Sequence, residues 1–435
     1  FPLDGRRGTK SSVVGLTKRT TNDPLSNCLP LPVAIGPRIR QARLLRGLSQ
    51  RGLADKLPVS YQTVSNYERE RSLPDSAMLM KIAGALDVDL SYFLRAPRVG
   101  EVRPSVPWPV STPEKEKSAL IERVRDWLER YLEAESIISA GEVAPEWSGP
   151  EWPEGFPREL EPEEAGSEEG NGETGEAQAS AIESAALGLR RGWDLGTGPI
   201  DRLAEGLEDR GLRTGSLPAP DWMGGRAFLA KAHGEGAQED ASQVTTSQKE
   251  TSAEEDPDSR KLLPVIVFNA ALPGARQRFL IARELGRLAL QPGPNHPGKD
   301  SGEKPTAHEK VCERFGRAFL LPRPALVRDV GTRRQHLSPE EIRLLSEKYG
   351  ASPQLLIRRL EETGILSSSR TEKWLRRLRE AESRGENLAP TVSKERPRRL
   401  RRLVLRARSE NVISERRAEE LLGEDAKAPS EPAFA

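Results

Sequence analysis

Gln62 and Asn66 stand four residues apart, so on a helix they share one face. Each side-chain amide can offer the donor and acceptor pair that an adenine edge takes bidentately. Arg38, Arg40, Arg43, Arg46 and Arg51 lie just upstream and bring the positive charge that contact with phosphate oxygens requires. Far along the chain His308 and Cys312 repeat the i, i+4 spacing with two metal-binding side chains. Four histidines are available for such chemistry, His233, His296, His308 and His336. A metal at His308 and Cys312 would need Glu284 or Glu309 to complete it. Such pairs also arise by chance, and a site needs convergent ligands. The simpler reading of Cys312 is a small buried apolar side chain.

The amide pair needs a helix that is held rigidly and presented to solvent. Ile35, Ile39, Ala42, Leu45 and Leu48 make one face of a first helix, and Gly47 supplies its stop. Ser49 caps a second helix over 50–57, Pro58-Val59 turns the chain, and Ser60 caps a third over 61–69 with Val64 and Tyr67 inward. Pro74 opens a fourth, with Met78, Leu79, Ile82, Ala83 and Leu86 as its stripe, and a fifth ends at Phe93-Leu94. Five short helices with a tight turn between the second and third suit a major groove about 12 Å wide, which admits one helix. The competing reading is a plain helical bundle whose polar residues face water.

The order Gly47-Leu48-Ser49-Gln50, Leu53-Ala54, Val59-Ser60, Thr63-Val64-Ser65, Tyr67-Glu68, then Leu79 to Leu86 and Phe93-Leu94 closely resembles the Cro/C1-type (XRE) helix-turn-helix family. The resemblance implies a DNA-binding set of Arg43, Gln50, Ser60, Tyr61, Gln62, Thr63, Ser65 and Asn66. In it Tyr61, Gln62 and Asn66 face bases, and Gln50 braces the phosphate backbone. Arg43 and Glu68 match a family ion pair that ties the first helix to the third. Pro58 departs from the family, which usually has Gly in that turn.

A second ordered stretch begins near residue 180. Helices are expected over 181–190 and near 200–210, and strands at 229–232 and 263–269. Pro273 and Gly274 then turn into a long helix over 276–290, and another runs over 308–320 to Pro322. Arg278-Phe279, Ala282, Glu284-Leu285-Gly286 and Leu288, followed by Glu309, Cys312, Phe315-Gly316 and Leu320-Leu321-Pro322, resemble the ImmA/IrrE family of gluzincin-like metallopeptidases over 180–366. In that family the long helix carries His-Glu-x-x-His. Here both histidine positions are arginine, Arg283 and Arg287, and a guanidinium has no lone pair for zinc. The motif positions Arg283, Glu284, Arg287 and Glu309 are therefore expected to be degenerate, with no catalytic residue, metal or cofactor. Glu284 is expected to pair with a neighbouring arginine, and the emptied cleft to suit an anionic ligand.

Lys plus Arg is 67 and Asp plus Glu 66, a net +1 that argues against a globally basic coat protein. Gly 37 and Pro 35 point to disordered segments. Cys28 and Cys312 make no disulfide framework, no long apolar run spans a membrane, and no apolar leader opens the chain, so a cytoplasmic protein is expected. The sequence opens on Phe1 rather than Met, which suggests a misassigned or processed start. The fold class expected is mainly α with a small α+β domain. The divisions are a disordered arm (1–33), the helix-turn-helix (34–95), a linker (96–179), the peptidase-like domain (180–368) and an Arg-rich helical tail (369–435). The linker holds one helix (114–138) and an acidic disordered stretch (142–176). Residues 394–408 of the tail carry eight basic residues and one acid, suited to phosphate contact or to docking on the linker or the body. Ile413-Ser414, Ala418 and Leu421-Leu422 resemble a short unit that follows such domains. The function expected is a transcriptional regulator bound as a homodimer to a double-stranded DNA operator, its metal-free peptidase-like domain sensing a small-molecule or protein effector. The alternatives are a metallopeptidase that cleaves a repressor and an antitoxin or immunity-control protein that binds a partner.

Overall fold

The computed structural model of the chain describes residues 35–95, 97–106, 108–109, 112–139, 172–220, 222–232, 262–290, 307–385 and 391–423. The expected arm, Cys28, the insertion at 234–260, the loop at 291–306 and most of the acidic stretch lie outside these residues. The last residues of that stretch already belong to a helix that starts at Gly172.

Four α-helices and a 3₁₀ turn form the N-terminal unit: α1 (Ile35–Leu45), α2 (Gln50–Ala54), α3 (Tyr61–Glu68), α4 (Ser76–Leu86) and the 3₁₀ segment Leu90–Leu94. Ile39, Leu53, Val64, Ile82, Leu86 and Phe93 close its core. Four of the boundaries have a local cause. Ser49 Oγ accepts from the Gly52 amide at 3.0 Å, Ser60 Oγ from Thr63 at 3.2 Å and Asp75 Oδ1 from Met78 at 2.7 Å, so three helix starts are side-chain capped. Gly47, at φ +66°, takes the left-handed conformation after α1 that a Cβ would oppose. Asp75, not Pro74, opens α4, and α2 is shorter than expected because the chain after Ala54 tightens into turns.

The body is built on a four-stranded sheet of β1 (Val99–Pro104), β2 (Arg213–Leu217), β3 (Gly225–Ala232) and β4 (Leu262–Asn269), in the order β1-β3-β4-β2. β2 runs parallel to β4, and the other two pairings are antiparallel. The alternation of β4 divides its side chains between two cores. Ile266 and Phe268 face α6 (Gly172–Gly192), α8 (Gly274–Ala289) and α9 (Ala307–Leu320). Leu263, Val265 and Val267 face α5 (Glu114–Ile138). A short α7 (Leu203–Glu208) precedes β2. After α9 come α10 (Arg323–Val330), α11 (Pro339–Tyr349), α12 (Pro353–Glu362), α13 (Ser368–Ser383), α14 (Arg399–Ser409) and α15 (Glu415–Leu422).

Two expectations fail here, and a third, left open, is decided. The expected linker (96–179) is not a linker at its start, because Val99 to Pro104 pair with β3 as an edge strand. Its prolines mask it, and an edge strand tolerates them. The helix at 114–138 is not a linker helix. Leu120, Val124, Leu128 and Leu132 are buried in the core that covers one face of the sheet. The basic tail docks on the body, one of the uses its apolar stripe allowed, and keeps Arg402, Arg406 and Arg408 exposed. Leu400, Val404 and Ala407 of α14 are buried in that same core. Glu208 accepts from the Arg398 and Arg399 amides, both at 2.9 Å, and so caps α14.

Before α14 the tail crosses the start of α8. Glu395 accepts from Arg278 at 2.5 Å and from the Ala204 amide at 2.9 Å, while its own amide donates to Gln277. Gly274 lies directly beneath the Val392 and Ser393 carbonyls, where a Cβ would overlap both oxygens. Gly274→Ala is expected to cost about 1–3 kcal/mol by forcing that strap away. A lower melting temperature together with faster proteolysis of 391–398 checks it.

The N-terminal unit sits on the body through charge. Arg38 of α1 pairs with Glu129 of α5, both buried, Arg95 pairs with Glu420 at 2.8 Å, and Arg416 with Asp89. Its apolar core stays separate from the two cores of the body.

Candidate functional site

α3 carries the first candidate site. Its inward face holds Val64, Ser65 and Glu68, and the opposite face is open. Tyr61 is 48% exposed. Gln62 is exposed, and Thr63 and Asn66 are half-buried. The Gln62 Nε2 lies 3.5 Å from Asn66 Oδ1, so the two amides share one face of the helix. Ser60 sits at the start of the helix, with its hydroxyl 2.9 Å from that of Thr63. The Arg51 guanidinium stands 5.4 Å from the centre of the Tyr61 ring.

Two residues of the expected set point the other way. Ser65 is buried, because it lies one helical step from Val64 and one turn from Glu68. Arg43 is buried too, donating to Glu68 at 2.9 Å and to the Leu48 carbonyl at 2.7 Å. The amide of Gln50 donates to the same carboxylate at 2.8 Å. Glu68 thus joins α1, α2 and α3. Among the upstream arginines, Arg38 serves the seam with α5 and Arg46 holds the Leu86 carbonyl at 2.7 Å. Arg40 and Arg51 are exposed.

The second candidate site lies where α8, α9 and β3 meet. Glu284 is fully buried. One of its oxygens accepts from Arg283 at 2.8 Å and lies 3.6 Å from the Arg287 Nε. The other accepts from the Ala227 amide of β3 at 2.9 Å. Arg287 reaches on to Glu309 at 3.0 Å. These residues do not fit a zinc ion: guanidinium groups hold the two positions that would need lone pairs, and they already engage the carboxylate between them. The expected anion site at Arg283 and Arg287 also loses its basis, since both arginines face carboxylates and Arg287 is buried.

His308 and Cys312 do meet, Nε2 to Sγ at 3.4 Å. Burial, with the charge of Arg287 beside it, pushes the imidazole down to about 4, and burial pushes the thiol up to about 12. A neutral thiol is a poor metal ligand. Among the described residues no group of three or more His, Cys, Asp or Glu is placed to hold a metal ion.

One arginine beside this centre is absent from the residues expected from the sequence. Arg226 of β3 is buried, stacks 4.4 Å over Trp108 and donates to the Val106 carbonyl at 2.8 Å. Burial pushes it down to about 10, against the opposing pull of Glu284. Reading the strand only from residue 229 left it out. Its signal was the small and apolar run that surrounds it from Gly224 to Ala230.

Comparison with known proteins finds matches over both regions. The helix-turn-helix family matches residues 39–93, and the IrrE N-terminal-like domain family matches residues 238–361. An uncharacterized transcriptional regulator in the ATPase CF(0) region of Rhodospirillum rubrum is 37% identical over 75 residues, 17% of this chain and 69% of that protein. Multiprotein-bridging factor 1 of Candida albicans is 33% identical over 99 residues, 22% of this chain and 63% of the relative. The HTH-type transcriptional regulator ImmR of Bacillus subtilis is 34% identical over 62 residues, 14% of this chain and 49% of the relative. No solved structure matches. Among the described residues no helix is long and apolar enough to cross a membrane. With its capped α3, its matching helix-turn-helix and a relative aligned over most of its length, the chain belongs to the XRE-type helix-turn-helix family of DNA-binding transcriptional regulators, here joined to an IrrE-like domain.

Proposed function

We propose that this regulator reads a duplex operator with the outer face of α3, that it does so as a homodimer, and that its IrrE-like body senses a signal or partner and cleaves no peptide bond. The observation that carries the reading is the outward amide pair on α3, Gln62 and Asn66, on a helix fixed from behind by Glu68. Tyr61, Gln62 and Asn66 are the base-reading residues, with Ser60 and Thr63 at the helix start and Arg51 toward phosphate. Dimerisation follows from reach: one short helix reads few base pairs, and a second half-site multiplies affinity. The loss of hydrolysis follows from Arg283 and Arg287, which cannot hold the cation that would activate water.

Selection of binding sites from random duplexes by the full chain tests the first part. A motif with two related half-sites is expected. Gln62→Ala is then expected to lose about 1–3 kcal/mol of discrimination at one base pair per half-site, with overall folding unchanged. A gel-shift series showing the same base preference would remove Gln62 from the reading set. Metal analysis of the purified chain tests the last part, since near-stoichiometric zinc with chelator-sensitive cleavage would restore the peptidase reading.

A further inference from the structure

A cleft of about 970 Å³ opens between the N-terminal unit and the body. One wall comes from α1 and the end of α4, the other from α5, the end of β2 and α15. Leu45 and Val88 line the first wall, and the edges of Trp127, Leu217 and Leu422, otherwise buried in the core of the body, line the second. These apolar side chains belong to three different elements of the body and two stretches of the N-terminal unit, yet the two apolar cores do not merge across the gap. The volume is at the upper end of small-molecule sites, which favour domain interfaces.

The charges around the cleft indicate what would enter. Most are cancelled in place, by Arg38–Glu129, Arg46–Asp87, Arg95–Glu420, Arg130–Asp126 and Arg416–Asp89. Arg123 is different. It is half-buried, and among the described residues its guanidinium meets only a carbonyl, that of Pro218 at 3.1 Å, and no carboxylate. Glu419, at the rim, is exposed and stays solvated. A partly desolvated guanidinium beside an apolar gap favours an anionic head with an apolar body.

We propose that this cleft binds a small amphiphilic organic anion, its carboxylate, sulfonate or phosphate on Arg123 and its apolar part between Leu45 and Trp127. The inference rests on the sensing role proposed above and gives it a place. Because the two walls belong to different units, such a ligand binds only while they are docked. By linkage it shifts the docked population, and with it the affinity for duplex DNA.

The probe is 8-anilinonaphthalene-1-sulfonate, an aromatic anion of the stated class, titrated into the full chain by fluorescence. A parallel anisotropy titration uses the selected duplex. One saturable site per chain is expected. Arg123→Ala and Leu45→Glu are each expected to weaken it tenfold or more, and Arg123→Lys to stay within threefold of the parent. Leu344→Ser, which removes an exposed apolar side chain elsewhere, should leave it unchanged. Saturating probe should move duplex affinity at least threefold. Unsaturable binding, binding indifferent to Arg123→Ala, or a bound probe that leaves duplex affinity where it was would each overturn the proposal. Failure of the regulator reading itself looks different: the chain would show no preference among duplexes with or without probe.

Discussion

Glu68→Ala is expected to unfold the helix-turn-helix while the body remains folded. The Glu68 carboxylate is buried and takes hydrogen bonds from Arg43 at 2.9 Å and Gln50 at 2.8 Å. Truncation leaves the Arg43 guanidinium buried, with the Leu48 carbonyl as its remaining hydrogen-bond partner in this cluster. Removing one member of a buried pair costs about 3–5 kcal/mol, because the surviving charge stays out of water. A domain of this size has roughly 5–15 kcal/mol in total, so the loss takes most of its stability. Replacing both members by leucine should cost far less, since no charge is then stranded. Amide hydrogen exchange over residues 35–95 checks the pair of outcomes. Protection in Glu68→Ala equal to the parent would show that the pair is idle. The contrast with Gln62→Ala is diagnostic: one substitution removes the helix, the other only what it reads.

The parts of the chain that were legible in sequence are those with local causes. Ser49 and Ser60 each cap the helix that follows them, and Gly47 takes a positive φ at the end of α1. Such signals need only a few neighbouring residues, and they fixed α1, α2 and α3 within a residue or a turn. The long helix after Asn269 was legible for the same reason. The orientation of Ser65 was also in reach, because helical geometry puts residues 64, 65 and 68 on one side; the family pattern outweighed that geometry. What failed depends on distant partners. β1 gives no alternating signal of its own, and its Val99 and Val102 become meaningful only once β3 lies beside them. Glu395 sits in a basic stretch that reads as solvated, yet it is buried against Arg278 and the start of α7, more than a hundred positions away in sequence. The basic tail left two uses open for the same reason. Its charge suggested phosphate, but its apolar stripe had a nearer use in covering α5.

Glu284 separates the two lives this body could have. In a working zinc peptidase the glutamate between the two histidines acts on a metal-bound water, and exchanging it for glutamine stops turnover with little harm to the fold. Here the same position is a fully buried counter-ion, receiving Arg283 at 2.8 Å and the Ala227 amide at 2.9 Å, with Arg287 3.6 Å away. Glu284→Ala is therefore expected to lower the stability of the body by about 3–5 kcal/mol, since it leaves Arg283 with the Gly225 carbonyl and the buried Arg287 with Glu309. Glu284→Gln should fall between that variant and the parent: it keeps an acceptor for Ala227 but gives up the charge. Replacing Arg283, Glu284 and Arg287 together with leucine should recover part of the loss, because no buried charge is then stranded, although the Ala227 amide still loses its acceptor. Thermal denaturation of the three variants orders them. If Glu284→Gln melted with the parent and instead abolished a chelator-sensitive cleavage, the carboxylate would be a catalyst. An order of parent, then glutamine, then alanine, with the triple leucine variant above alanine, is what a carboxylate retained for packing would give.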